Sequence, residues 1–515
     1  MMKKQNVSSW KIVVSALLMI LLVVPLASAE KKIFHGTGEY TMSDYETPAV
    51  AEQRALAYAK QRAAEQAGVY VDTYTKMEKV QVTEDRVNVL VSGAMRITAQ
   101  KVERKSLSDG DIRIVANITA EVDSGDLERL LSHISKDGMD NESTYRQLKE
   151  KIVREETEIE NLKKRIVELK QKGALTNDLQ IESKVKENEF LSSQKAKQGY
   201  EMWLSGEYKK ALILAEEAIN INVKNYIAYL IRGSSLYKEG KYDMALEDYN
   251  RCLMINNQCA EAYNSQGYLY YERNDNDKAI EKYNKAISLD PKKSIYYSNR
   301  GMVYYRMNNI RSAMLDYDEA LRLDNKNEYA YNNRGNVYTN MNELDKGLYD
   351  YNKALSINNK IPNIYCNRGM LFLKKGEVIN AIKDCDKAIS INDRYVDAYI
   401  VRGNAYSQKR EFEKAISDYS IVLLINPRFA EVYYNRGLVY GEKGDYKNAI
   451  NDFNKTIEIN PKFSEAYDNR GLTRWYTKDY EGAIRDFQKA LEVDRNNSSA
   501  NKHLTLAYEY MKNRK

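Results

Sequence analysis

Residues 294–327 read SIYYSNRGMVYYRMNNIRSAMLDYDEALRLDNKN, and residues 328–361 follow at once with EYAYNNRGNVYTNMNELDKGLYDYNKALSINNKI. Laid one under the other, both carry arginine and glycine at places seven and eight and a small residue at place twenty (Ala313, Gly347). Aspartate and tyrosine then stand at places twenty-three and twenty-four. Working outward, glycine recurs at 199, 233, 267, 301, 335, 369, 403, 437 and 471, each 34 residues after the last. Nine such units therefore fill residues 192–497 without an insertion. Place twenty is alanine in eight of the nine units, from Ala211 to Ala483 with Gly347 the exception, and place twenty-four is aromatic in seven, from Tyr249 to Phe487. Small residues at these two places let the two helices of a hairpin cross closely, and the ring fills the space beside the crossing.

This spacing, with Pro291, Pro427 and Pro461 closing three of the units, resembles the tetratricopeptide repeat (TPR), a helix–turn–helix unit of 34 residues. The resemblance implies a mainly α fold: a right-handed α-solenoid of nine hairpins. Residues 498–515 are then a capping helix whose apolar side, including Leu504, Ala507 and Tyr508, covers the last unit. It further implies a groove lined by the first helix of each unit, at places two, five, six, nine, twelve and thirteen. Those places hold Asn264, Asn299, Asn332, Asn333, Asn336, Asn340, Asn363, Asn367, Asn404, Asn435 and Asn469, interleaved with Tyr237, Tyr268, Tyr271, Tyr305 and Tyr434. An amide both donates and accepts, so such a ladder suits the backbone of an extended peptide whatever its side chains. Trp203 and Trp475, at place twelve of the first and last units, are candidate anchors. A carbohydrate or peptidoglycan ligand stacked on the tyrosines is the alternative reading. Tyr297-Ser298-Asn299-Arg300 resembles part of a carboxylate clamp, but Asn264, Tyr268, Tyr329 and Asn333 stand where its other members belong, so carboxylate capture is not expected.

Seven of the nine units have arginine at place seven (Arg232, Arg300, Arg334, Arg368, Arg402, Arg436, Arg470), and the same seven have aspartate at place twenty-three (Asp248, Asp316, Asp350, Asp384, Asp418, Asp452, Asp486). The two units without the arginine pair Gln198 with Leu214 and Gln266 with Lys282. Arginine and aspartate appear and vanish together within a unit, whereas pairing across units would set Lys282 against Arg300. The expectation is a structural ion pair between the two helices of each unit. An arginine ladder for anionic ligands loses force, because every arginine brings its own neutraliser.

Ahead of the repeats, residues 1–29 combine a basic start, an apolar run from Ile12 to Val24 and Ala27-Ser28-Ala29, a secretory signal with expected cleavage after Ala29. An uncleaved anchor is the competing reading, although the run is shorter than the roughly 20 residues a bilayer requires. After cleavage no integral membrane segment is expected, and the chain would be periplasmic or extracellular. Residues 30–136 read as a small α+β domain: a helix over 47–68 stopped by Gly68, then alternating segments at 69–82, 96–105 and 112–122, the last two a hairpin around 108–111. GTGEY at Gly36, the helix AEQRALAYAKQRAAEQAGVYV and the stretch DRVNVLVSG resemble the N-terminal domain of flagellar assembly protein T. That resemblance implies a non-catalytic building block of periplasmic assemblies. Within the helix at 140–172, Tyr145, Ile152, Ile159 and Ile166 take heptad place a, and Leu148, Glu155, Leu162 and Leu169 take d. This reads either as a parallel two-stranded coil, and hence a homodimer through 145–169, or as a helix folding back on a neighbour.

Composition narrows the function. Only 6 prolines and 24 glycines stand against 42 tyrosines among 515 residues, which suits a long helical array. Without Lys3, Lys4 and Lys11 of the leader, 76 bases face 73 acids, not a nucleic-acid signature. Cys252, Cys259, Cys366 and Cys385 form no CxxC, and His35, His133 and His503 lie far apart, so no metal site, cofactor or cysteine–histidine nucleophile is expected. The thiols are expected to be free and mostly buried. The reading is an exported, non-enzymatic scaffold for partner peptides or proteins, in bacterial envelope or appendage assembly.

Overall fold

The computed structural model describes residues 31–42, 47–77, 84–108, 111–133, 141–172 and 176–513, so the expected signal at 1–29 lies outside the described residues. Its contacts divide the chain into two units: residues 1–255 without 75–81 and 135–140, and residues 256–515 together with those two segments.

In the first unit β1 (Lys31–Met42), β2 (Met95–Ser106) and β3 (Ile112–Asp123) form an antiparallel sheet in the order β1-β3-β2. Helix α1 (Pro48–Met77) lies across one face, packing Ala51, Ala55, Ala59 and Ala63 on Ile114, Ala116, Ile118 and Ala120. Gly36 and Gly38 make that approach, since a Cβ on either would run into the carbonyl oxygen of Ala59 or Ala55. The expected stop at Gly68 and the expected alternating segment over 69–82 are corrected: α1 continues through Gly68 to Met77. Ala63, Ala67, Val71 and Tyr74 are buried at helical spacing while Val69 is exposed, so the apolar period here is that of a helix. The stretch after it forms α2 (Glu84–Ala94), and α3 (Ser124–His133) follows β3.

Helices α4 (Asn141–Gln171) and α5 (Asn177–Leu204) pack along each other, and the heptad residues Leu148, Ile152, Ile159, Leu162 and Ile166 are buried within the chain. Phe190 of α5 covers Ile152 and Ile159, and Leu179 covers Leu162 and Ile166. The stripe is therefore folded back on a neighbour, and the residues a parallel homodimer would need are already occupied. Glu155 breaks the heptad at a buried place, where its carboxylate accepts from the Ser193 hydroxyl at 3.0 Å. Burial pushes its pKa up against the nearby charge of Lys151.

The C-terminal part of α5 and the helix Tyr208–Ile221 make the first repeat, and Tyr226–Lys238 with Tyr242–Ile255 the second. The second unit carries seven more hairpins, whose first helices start at 260, 294, 328, 362, 396, 430 and 464, before the closing helix Ser498–Asn513. This is a TPR-like solenoid. In every repeat the residue at place fifteen turns the chain between the two helices with positive φ. It is Gly206, Gly240, Gly376 or Gly444 in four repeats, Asn274, Asn308 or Asn342 in three, and Arg410 (59°) and Lys478 (67°) in the remaining two. Sequence reading overlooked this place because the residue type varies, although glycine and asparagine, which tolerate that conformation, hold seven of nine. All four cysteines are free and buried. Among the described residues no helix is long and apolar enough to cross a membrane.

Candidate functional site

Each repeat presents two working surfaces, the seam between its helices and the groove-lining side of its first helix. At the seam all seven arginines grip the aspartate sixteen residues on with two nitrogens, Nε and Nη2, at 2.6–2.9 Å. These are Arg232–Asp248, Arg300–Asp316, Arg334–Asp350, Arg368–Asp384, Arg402–Asp418, Arg436–Asp452 and Arg470–Asp486. The aspartates are buried and the arginines about one-fifth exposed, so the fork lies largely out of water. Its hydrogen bonds to the Asp418 carboxylate hold Arg402 above its ordinary value.

Two features of the seam went unread in the sequence. Six of the arginines use their third nitrogen, Nη1, to reach back to place twenty-five of the preceding repeat, at Asn284, Asp318, Asn352, Asp386, Ser420 or Asn454, 2.6–2.8 Å away. Each such arginine ties its own hairpin together and also ties it to the one before. The available signal was the short polar residue sixteen places before every one of these arginines. Second, each of the seven guanidiniums sits 5.4–5.7 Å from the ring of the tyrosine three residues earlier, such as Tyr297 or Tyr331. Five have a second ring four residues later at 5.8–6.0 Å. Much of the tyrosine content outside the groove places thus serves the arginines.

In the groove the asparagines divide into two sets. Asn264 and Asn332 are buried, and each accepts a hydrogen bond from the amide one repeat further on, Asn299 and Asn367 respectively, at 2.9 Å. Asn469 donates to the Tyr434 hydroxyl of the preceding repeat at 3.0 Å, and Asn340 to that of Tyr305. These amides bond repeat to repeat, which corrects the expectation that the whole ladder faces a ligand. The second set is placed differently. Asn336 and Asn404, both at place nine, accept from the hydroxyls of Tyr351 and Tyr419 at 2.6 Å. Their carbonyl ends are fixed, and their NH2 groups meet no acceptor among the described residues. Asn435 is half-buried, Asn333 accepts from Asn332 at 3.3 Å, and the buried carbonyl of Asn363 has no partner among the described residues.

The expected aromatic anchors also part company. Trp203 is only 5% exposed, stacked on Tyr200 at 6.0 Å and edge-on to Tyr208, so it serves the core of its unit and is corrected as a groove anchor. Trp475 is half-buried between Tyr480 and Tyr510 of the closing helix, at 4.7 and 5.2 Å. Tyr268 and Tyr271 lie 6.2 Å apart, with Arg306 of the next repeat over the Tyr271 ring. Burial pushes the Tyr305 hydroxyl up.

Chemistry-bearing groups are sparse. The Cys385 thiol is pushed up to about 12 by burial and Cys366 is raised for the same reason, so both stay protonated and unreactive near neutrality. Among the described residues no group of three or more His, Cys, Asp or Glu side chains could hold a metal ion. The arrangement offers hydrogen-bond donors, rings and shape.

A family model described as TPR repeat matches residues 267–308, 303–342, 335–376 and 403–444. Models described as tetratricopeptide repeat match 226–259, 362–395, 430–463 and 464–497. Among solved structures, a tetratricopeptide repeat protein from Parabacteroides merdae is 24% identical over 49% of this chain and 99% of that one, with a TM-score of 0.39. MamA is 27% identical over 32% of this chain and 96% of that one (TM-score 0.30). YrrB, described as a TPR protein with an unusual peptide-binding site, is 25% identical over 36% of this chain and 96% of that one (TM-score 0.30). No curated protein matches the chain.

Proposed function

The chain belongs to the tetratricopeptide-repeat family, whose members are general scaffolds for protein–protein interaction, and from that premise we propose that it is an exported, non-enzymatic scaffold holding extended protein segments in its groove during assembly of a bacterial envelope or appendage structure. The observation that carries the reading is the pair Asn336 and Asn404. A tyrosine hydroxyl fixes the oxygen of each amide, so each presents an oriented NH2 to an incoming carbonyl without first losing rotational freedom. A peptide backbone supplies such carbonyls at regular spacing whatever its sequence. Export rests on the leader at 1–29, and the envelope role on the resemblance of the N-terminal domain to that of flagellar assembly protein T. In this reading that domain attaches the scaffold to its structure.

The test is affinity capture from envelope extract with the full chain beside a variant carrying Asn336→Ala, Asn404→Ala and Asn435→Ala, helicity being equal in both. Proteins held by the wild type and lost from the variant support the groove; equal capture by both refutes it. The intact mass of chain recovered from the periplasmic fraction tests export, with a mature start at Glu30 as the expected result.

A further inference from the structure

The groove changes character along its length. Down place nine of the first helices the residues run Asn336, Met370, Asn404 and then Leu438, Leu472 and Leu506, the last contributed by the closing helix. Leu506 is 51% exposed, and Tyr510, one turn further on, is 44% exposed while its ring meets Trp475 at 5.2 Å. Leu472 packs beside the same tryptophan in one cluster. An aliphatic and aromatic lane is thus left open at the C-terminal end, where a solvated end face would be polar.

Carboxylates border this lane. Glu431 and Glu465, both at place two, are exposed and make no ion pair among the described residues. The Tyr434 hydroxyl feels the second of them: it accepts from Asn469, and it is pushed up to about 12 by burial and then by the charges of Glu465 and Asp468. The carboxylate of Asp468 is buried and hydrogen-bonded to His503 at 2.7 Å, so the carboxylates open to a ligand beside the lane are the two exposed glutamates.

Resting on the groove reading above, we propose that the end of the array formed by residues 430–513 binds a cationic peptide segment, with a bulky aliphatic side chain seated on Leu472, Leu506 and Trp475 and its lysines or arginines facing Glu431 and Glu465. Apolar contact supplies the affinity and the charges set orientation and exclude acidic segments.

Short end-blocked peptides of three kinds test it against the full chain by fluorescence polarisation: lysine–leucine, glutamate–leucine and lysine–serine. The lysine–leucine peptide is expected to bind at least about ten-fold more tightly than the other two. Leu506→Glu is expected to remove most of that advantage, and Glu465→Lys to shift preference toward the glutamate–leucine peptide. Both residues are exposed, so circular dichroism should match the wild type. Equal binding of the three peptides, no binding of the lysine–leucine peptide, or variants that behave as wild type would each overturn the proposal. The groove reading fails separately: protein capture lost from the asparagine variant without lysine–leucine selectivity keeps the groove and removes this inference. Leucine-dependent peptide binding with unchanged capture does the reverse.

Discussion

Two regions of the molecule use glycine to bring chain segments together, and they do it against different neighbours. At the N-terminal sheet, Gly36 and Gly38 of β1 lie under the Ala55 and Ala59 carbonyl oxygens of α1, so an added methyl would meet backbone. At the helix crossing of the repeats, Gly301 faces a side chain, with the Tyr317 ring carbon 2.9 Å from an added Cβ. A ring can tilt by a few tenths of an ångström, whereas a helix fixed by its own hydrogen bonds cannot move without carrying its whole packed face. The sixth repeat gives a third case, since Gly369 faces the Cys385 sulfur at 3.3 Å. One residue type therefore has three tolerances, set by what stands opposite.

The most severe break of this comparison is Gly36→Ala, expected to cost about 4 kcal/mol or more because α1 must lift from the sheet. Urea unfolding followed by circular dichroism measures it, and a loss under about 1 kcal/mol would mean that the helix can yield. Next to the repeat glycine Gly335 stands Arg334, and Asp350→Ala removes the carboxylate that its largely buried guanidinium grips, expected to cost about 3 kcal/mol. The pair Arg334→Gln with Asp350→Leu, patterned on Gln198 and Leu214 of the first repeat, should recover most of that loss. If the pair is as damaging as the single change, the bond from Arg334 Nη1 to Asp318 of the preceding repeat matters as much as the grip on Asp350.

Smaller effects sharpen the contrast within the repeats. Gly301→Ala should cost about 2 kcal/mol and Gly369→Ala less than about 1, the difference lying in tyrosine against cysteine at place twenty-four. Equal losses by the same unfolding measurement would show that crossing distance, not the facing side chain, sets the tolerance. Least in size are Arg410→Gly and Lys478→Gly, at places where seven other repeats have glycine or asparagine. Each is expected to stabilise by about 0.5 kcal/mol, the relief of positive φ exceeding the added chain entropy. A lower unfolding midpoint in either variant would place the strain elsewhere.

How much of this was legible beforehand depended on whether the information is local. The Arg–Asp partnership could be read without coordinates because the two residues vary together inside one 34-residue unit, and the internal comparison of nine units acts as an alignment. The αL place was open to the same method and was passed over, since Arg410 and Lys478 obscure a pattern that glycine and asparagine otherwise keep. The reach of Nη1 to the preceding repeat was not legible, because it needs the stacking of hairpins and not just their period. At 69–77 the sequence was read as alternating, and the burial of Val71 and Tyr74 with Val69 exposed shows the helical period instead.

From its sequence alone this protein is a regular array of 34-residue helical hairpins behind a small α+β segment, with glycine, alanine, aromatic and ion-pair places assigned. Steric demands recur with every copy of the hairpin, so they are written as a period that nine copies make unmistakable. Only the tertiary structure decided that the heptad stripe at 145–169 is covered by α5, that Trp203 is core, and that half the asparagine ladder bonds repeat to repeat. An apolar stripe or an amide records what it needs but not which distant residue satisfies it; that choice is made by burial and hydrogen bonding between segments far apart in the chain.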